Sequence, residues 1–449
     1  MDRTFHSRLR ELVKVSHPNL AHHHTRTPYL TGDINYLQFL GSVKGDLANV
    51  TGPPSLLAPC SVVEVGHCWA ERPAVFAAPA LEPSPEKRAL LVLRWFLMAL
   101  RSQLYIGVDH HTSTTGTRIT DNTDDATTPP GNPPPCNKSI RKPLNAFLGE
   151  LFLASWIDAE AQCTTDLVAE QVSHHPPITA MHAVDRANGV RADGYARVEM
   201  TFNGSVNIRQ VGHATLHIDK YDEDHLIPLP DVKVRGFLSG CLYPEISGTY
   251  QLVSSAGFVT ECRFWGEGLI RGRRNSFEAR VYRREDIDKG RRNRPLFEVA
   301  GCWSEGWTVR DCGSGEVLEV VELDAPENEP VPMEIAPLEA QDPWESRRAW
   351  AGVLQGLRVG DVRMVVAEKT KIEQAQRQMR ASEARRGVSW EPLLFRSVPG
   401  ESHEVFHRLS EGMCWQLHHE RTKGVWKVDD GRVKNLKRPF REGVTPFGY

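Results

Sequence analysis

The 449-residue chain has no C-x-x-C pair, and its nine cysteines are odd in number and widely scattered. That argues against a disulfide framework or a thiolate zinc site and fits a reducing compartment. Neither charge sign is in marked excess: the net charge is −3, so there is no global basic field for nucleic acid, and any anion site must be local. Met1 to Val15 carries charges throughout and lacks the apolar stretch of a secretory signal. No long apolar run is free of charge. The most apolar one, Ala89 to Val108, contains Arg94 and Arg101, and a charge near a bilayer centre costs about 3 kcal/mol on insertion scales. A buried helix is expected there, and any membrane contact is expected to be peripheral.

What is present is enough to build a core: 40% of residues are apolar and 25% charged. Residues 1–32, with His22-His23-His24, read as a solvated tail rather than a metal site. Asp33 can cap a helix. Tyr36, Leu37, Leu40, Val43 and Leu47 follow at three- and four-residue spacing. Gly41 and Gly45 weaken that helix by roughly 1 kcal/mol each. Gly52-Pro53-Pro54 breaks the chain, and helices are expected around Val62 to Glu71 and from Pro85 to about Tyr105. Residues 109–136, rich in Thr, Asp, Gly and Pro, read as a disordered insertion. From Glu150 to about Val321 short apolar or alternating runs recur. Asn188-Gly189, Asp193-Gly194 and Asn203-Gly204 are hairpin signals among them. This predicts a mostly β chain built on an antiparallel sheet or barrel. Asp324 to Asp342 reads as a loop. Helices are expected over Pro343 to Val359 and from Val362 to about Arg386, the second very polar.

Glu170-Gln171-Val172-Ser173-His174-His175-Pro176-Pro177 stands out. Two prolines fix φ and lack N–H donors, so a rigid extended turn is expected after the strand Thr164 to Ala169. Adjacent side chains of an extended segment point apart. His174 and His175 can therefore grip one group only if the chain bends at Pro176. A metal-dependent hydrolase is one reading of such a pair, but zinc usually takes three or four ligands, and no H-x-x-x-H or carboxylate pattern lies nearby.

This octapeptide resembles the signature of the oxysterol-binding protein family. Lys142-Pro143-Leu144-Asn145-Ala146-Phe147-Leu148-Gly149-Glu150 and Glu345-Ser346-Arg347-Arg348-Ala349-Trp350 are similar to further blocks of it, in the same order. The similarity runs from roughly Asn35 to roughly Phe395 and is to the short yeast homologues, which consist of the ligand-binding domain. It implies a large antiparallel β-barrel around a lipid tunnel over 33–395. The implied lid is 33–50, with Tyr36, Leu37, Leu40 and Val43 on it, and 396–449 is a C-terminal extension.

The resemblance implies a binding protein, with no catalytic residues, cofactor or metal. Lys142, Leu144 (through its backbone), Asn145, His174, His175, Lys369, Glu373 and Arg377 fall on positions that hold an inositol phosphate. Without the resemblance, Lys369, Glu373 and Arg377 are an ordinary i, i+4 charge ladder. The implied ligand is phosphatidylinositol 4-phosphate, exchanged for a sterol (ergosterol- or cholesterol-like) or another lipid. Trp69, Gln103, Tyr105 and Gln210 match tunnel positions. Tyr105 stands one residue out of register, and Ala196 replaces an Asn of the sterol binders. A monomeric lipid transfer protein is expected, cytoplasmic and peripheral at endoplasmic reticulum, Golgi or plasma membrane. A lipid sensor or contact-site regulator is the alternative.

Overall fold

The structure is a computed structural model that describes residue 47 and residues 57–105, 140–236, 242–266 and 273–448. The expected lid, apart from Leu47, and the expected insertion over 109–136 lie outside the described residues. So do Tyr36, Leu37, Leu40, Val43 and the three tail histidines.

A 15-stranded antiparallel sheet forms the body. From one edge, Val317–Glu322 is followed by Gly306–Asp311, Phe297–Cys302, Ser276–Arg283, Phe258–Trp265 and Gly248–Ser254. The order continues through Glu223–Ile227, Val206–Ile218, Val190–Phe202, Pro177–Asp185, Cys163–His174 and Leu151–Asp158 to the short edge strand Met333–Glu334. Val232–Arg235 also pairs with Val206–Ile218 and carries Tyr243–Ile246. Sequence neighbours pair because each hairpin alternates inward apolar and outward polar residues.

The expected closed barrel is corrected. Among the described residues Val317–Glu322 pairs with Gly306–Asp311 and Met333–Glu334 pairs with Leu151–Asp158, and no ladder joins these two edges. Alternation and turn spacing report which strands are neighbours. They do not report whether tilt and stagger bring the ends together. The mostly β assignment is corrected as well: with three N-terminal helices and a C-terminal helical region the fold is mixed α and β.

The expected helix beginning at Pro85 is Pro85–Leu104. Ser84 caps it by accepting from the Lys87 N–H, and Pro85 is at the first turn. Trp95, Phe96, Leu97 and Met98 are buried in one cluster with Trp69, Phe76 and strand residues such as Leu216, Phe264 and Trp307. Its arginines have carboxylate partners: Arg88 pairs with buried Glu223 at 2.6 Å, Arg94 with Glu319 at 2.6 Å and Arg101 with Asp324 at 2.5 Å. Among the described residues no helix is long and apolar enough to cross a membrane.

The three glycine signals resolve differently. Gly189, at φ +65°, and Gly204, at φ +96°, lie in hairpin turns. Asp193-Gly194, read as a turn, lies inside the strand Val190–Phe202, opposite Ala214 and Thr215. Gly194 is there for close approach: a Cβ at this position would lie 2.5 Å from Cη2 of Trp69.

Beyond the sheet, Ala351–Val359 and Val362–Arg386 form a helical hairpin. They touch where a Cβ on Gly356 would lie 2.9 Å from Cγ2 of Val365. Gly360, at φ +70°, ends the first helix, and the Asp361 side chain caps the second by accepting from the Met364 N–H. The chain then returns through Phe395–Val398, which pairs with Val425–Val428 near the C-terminus.

Candidate functional site

The octapeptide is part of the sheet rather than a free turn. Glu170 pairs with Ala180, Gln171 with Thr179, Ser173 with Ile178 and His174 with Pro177, with a register shift between Gln171 and Ser173. Only the end of the segment turns, across a cis His175–Pro176 bond. The two imidazoles meet with ring centroids 4.6 Å apart, edge to face.

His174 Nδ1 is 3.0 Å from the carbonyl oxygen of Ala146. A carbonyl can only accept, so Nδ1 carries the proton and Nε2 is left for a ligand. Burial, then the neighbouring His175, pushes the His174 pKa down. Glu373 pushes it up and Arg380 pushes it down, so the ring feels the polar helix directly.

Lys142 begins the three-residue strand Lys142–Leu144, which pairs in parallel with Leu57–Ser61. Its Nζ donates to Asn145 Oδ1 at 2.5 Å, and Leu144 behind it is buried. Burial, reinforced by the charge of Lys369, lowers the Lys142 pKa to about 8. Lys369 is also pushed down by burial and held up by Glu373, 3.5 Å away. Glu373 then meets Arg377 at 3.4 Å. The strand at Lys142, the histidine strand and the Val362–Arg386 helix thus bring their charges within reach of one another, Lys369 acting on Lys142 and Glu373 on His174, in one largely cationic cluster. Arg377 is its outermost member, with a side chain 76% exposed.

Two features of the site were not read from the sequence. Glu170, fully buried, accepts from the backbone N–H groups of Leu393 and Leu394 at 2.6 and 2.8 Å and from Arg441 at 3.3 Å. It ties the histidine strand to the chain returning from the polar helix. Burial raises its pKa, and Arg441 and the N–H groups oppose that. Lys423 donates to the carbonyl oxygen of His175 at 2.7 Å and to Ser173 Oγ at 3.2 Å. It adds a cation to the histidine turn from the C-terminal extension. Glu170 was visible as the first residue of the octapeptide. Lys423, in Arg-Thr-Lys-Gly, carries no local signal.

Of the four residues matched to tunnel positions, Trp69 belongs to the main core cluster and Tyr105 packs against it. Gln103 Nε2 donates to Gln210 Oε1 at 3.2 Å, and Gln210 donates to the Pro230 carbonyl at 2.8 Å. Trp69 packs against Trp95, with centroids 5.7 Å apart. Tyr105 lies beside Trp303, and Asn275 Nδ2 reaches its hydroxyl at 3.5 Å. No group of three or more potential metal ligands occurs among the described residues.

Comparison with known proteins settles the family. The family model described as oxysterol-binding protein matches residues 133–353. Protein kes1 of Schizosaccharomyces pombe is 30% identical over 366 residues, covering 81% of this chain and 86% of that protein. The chain belongs to the oxysterol-binding protein family. A probable transporter, efuK, of Hormonema carpetanum is 43% identical over 409 residues, 91% of this chain. This chain spans 54% of that relative's length. The Osh1 ORD domain in complex with cholesterol superposes with a TM-score of 0.63 at 16% identity, covering 97% of each chain. The Osh3 ORD of Saccharomyces cerevisiae in complex with PI(4)P gives 0.58 at 18% identity, covering 88% of this chain and 96% of that one. At such identities these likenesses establish the fold. Membership makes the chain a binding protein rather than an enzyme, so His174 and His175 are not read as catalytic.

Proposed function

We propose that this chain binds phosphatidylinositol 4-phosphate at the rim formed by Lys142, Leu144, Asn145, His174, His175, Lys369, Glu373 and Arg377. In this reading it exchanges that lipid for a sterol or another lipid between membranes, as a peripheral protein of the cytoplasm. Family membership supports lipid binding or transfer in general. The observation that carries the finer reading is the gathering of half-buried cationic and imidazole groups: Lys142 lies within reach of the Lys369 charge, Glu373 links Lys369 at 3.5 Å to Arg377 at 3.4 Å, and the same Glu373 acts on His174. Buried like charges raise the cost of the empty site, and a dianionic phosphate relieves it. Lys142 and Lys369 supply point charges and Arg377 a planar fork; the two imidazoles, which a dianionic phosphate favours in the protonated form, supply N–H donors, while Glu373 orients the cations or accepts inositol hydroxyls.

For the second ligand, Gln103 and Gln210 form a joined amide pair that suits a hydroxyl. The solved neighbour bound to cholesterol is consistent with a sterol. Liposome-to-liposome transfer of labelled phosphatidylinositol 4-phosphate tests the proposal. The wild type transfers, and His174→Ala with His175→Ala abolishes transfer. A double variant that transfers normally overturns the headgroup assignment. Sterol extraction from the same liposomes identifies the counter-ligand.

A further inference from the structure

The helical hairpin ends in an exposed apolar tip. Val359, Val362 and Val366 are 59%, 52% and 55% exposed, although valines with no exposed role favour burial. Their placement follows from helix geometry. Successive residues turn by 100°, so Val362, Val366, Lys369, Glu373 and Arg377 fall within about 80° of one another on a single stripe. Val366 is about 4.5 Å along the axis from Lys369, and Val362 about 10.5 Å. An adjoining face of the helix, with Val365, Ile372 and Ala375, is buried. The two valines therefore extend the headgroup-binding face outward, beyond its first lysine.

The charges around the tip have one sign to spare. Asp361 is committed to the helix cap, and Glu368 pairs with Lys371 at 2.6 Å. Arg358 and Arg363 are exposed and form no ion pair among the described residues. An apolar tip flanked by arginines is the pattern of an interfacial membrane contact: the valines enter the acyl boundary, and the arginines meet anionic headgroups.

We propose that the tip Val359, Val362 and Val366, with Arg358 and Arg363, docks on an anionic bilayer so that a phosphoinositide headgroup enters the site along the same helix stripe. This rests on the headgroup reading above, and the two are separable by experiment. Val362→Gln with Val366→Gln alters only exposed side chains. A water-soluble, short-chain phosphatidylinositol 4-phosphate tests the site without a membrane. Flotation on phosphatidylcholine vesicles containing phosphatidylserine tests docking without the site's ligand.

The expected result is soluble-lipid affinity within twofold of wild type, at least a tenfold loss of vesicle flotation, and a similar loss in the rate of extraction from vesicles. Flotation of the wild type should fall with added salt, and Arg358→Gln with Arg363→Gln should remove that dependence. Unchanged flotation in the valine variant overturns the docking proposal. A wild-type dimer in light scattering that the valine variant abolishes also overturns it, because the tip is then a self-association face. Failure of the wild type to bind the soluble lipid overturns the headgroup reading, and the flotation result still decides the tip.

Discussion

Lys423 Nζ donates to the carbonyl oxygen of His175 at 2.7 Å. The bond joins the C-terminal extension to the histidine turn. It holds the His175 backbone and adds a cation beside the two rings. Lys423→Gln is expected to weaken binding of a soluble phosphatidylinositol 4-phosphate about tenfold without lowering thermal stability, since Lys423 is exposed. Lys423→Arg should recover part of the loss. Calorimetric titration decides it, and an unchanged affinity in the Gln variant removes Lys423 from the site.

Lys142 gives the site a pH dependence in the alkaline range. Burial and Lys369 hold its pKa at about 8 in the empty protein, against an unfolded value near 10.4. A phosphate needs the charged form, so affinity should fall as pH rises above about 8, by up to tenfold per unit. For stability the sign is opposite: the unfolded chain binds the proton more strongly between about 8 and 10.4, so folding gains as pH rises through that window. Lys142→Met should therefore bind the lipid poorly yet melt higher than wild type at pH 7. A lower melting temperature contradicts the claim that this lysine is held at a cost to the fold.

His213 and His403 are stacked, with Nε2 atoms 2.7 Å apart and both rings buried. One ring donates and the other accepts, so a second proton would put two cations face to face. Burial holds His213 well below its usual pKa, with His403 adding to it, and burial holds His403 at about 4, with Lys427 adding to it. Both folded values lie below the unfolded value of about 6.5, so the unfolded chain takes up protons first as pH falls. Stability present above pH 6.5 should be lost progressively toward pH 4. His403→Phe should flatten that slope in a series of thermal melts, and parallel slopes for the two proteins would sink the idea.

Gly194 lies close against Trp69, 2.5 Å from its Cη2 measured from an added Cβ. Gly194→Ala must displace the indole or the strand, because Ala214 Cβ stands 3.0 Å away on another side. A loss of about 1–3 kcal/mol in chemical denaturation is expected for such overpacking. A neutral substitution would show that Trp69 can turn aside freely.

How far the sequence carried depended on what kind of information each feature needs. The Val362–Arg386 helix was legible because its cap, Asp361, and its terminal Gly387 are local signals. The ladder Lys369, Glu373, Arg377 was legible as a stripe. The pairing of successive strands was legible for the same reason. Closure was not: whether the strand at Val317 meets the one at Met333 is a property of accumulated twist, and no single turn encodes it. Gly194 misled because a glycine after an aspartate reads as a turn, while its actual cause, Trp69, is 125 residues distant in sequence. Lys423 was invisible because its partner is a backbone carbonyl, which any residue provides. The histidine pair was anticipated chemically, but the edge-to-face contact of its rings runs against the rule that adjacent side chains of an extended segment point apart.

The central claim is that the converging lysines and histidines recognise a phosphate on the inositol ring. Isothermal titration with two short-chain lipids, phosphatidylinositol 4-phosphate and phosphatidylinositol without the 4-phosphate, tests it most directly. The account predicts at least tenfold tighter binding of the phosphorylated lipid by the wild type and loss of that preference in His174→Ala with His175→Ala. Equal binding of the two lipids by the wild type, or a preference that survives in the double variant, would contradict it.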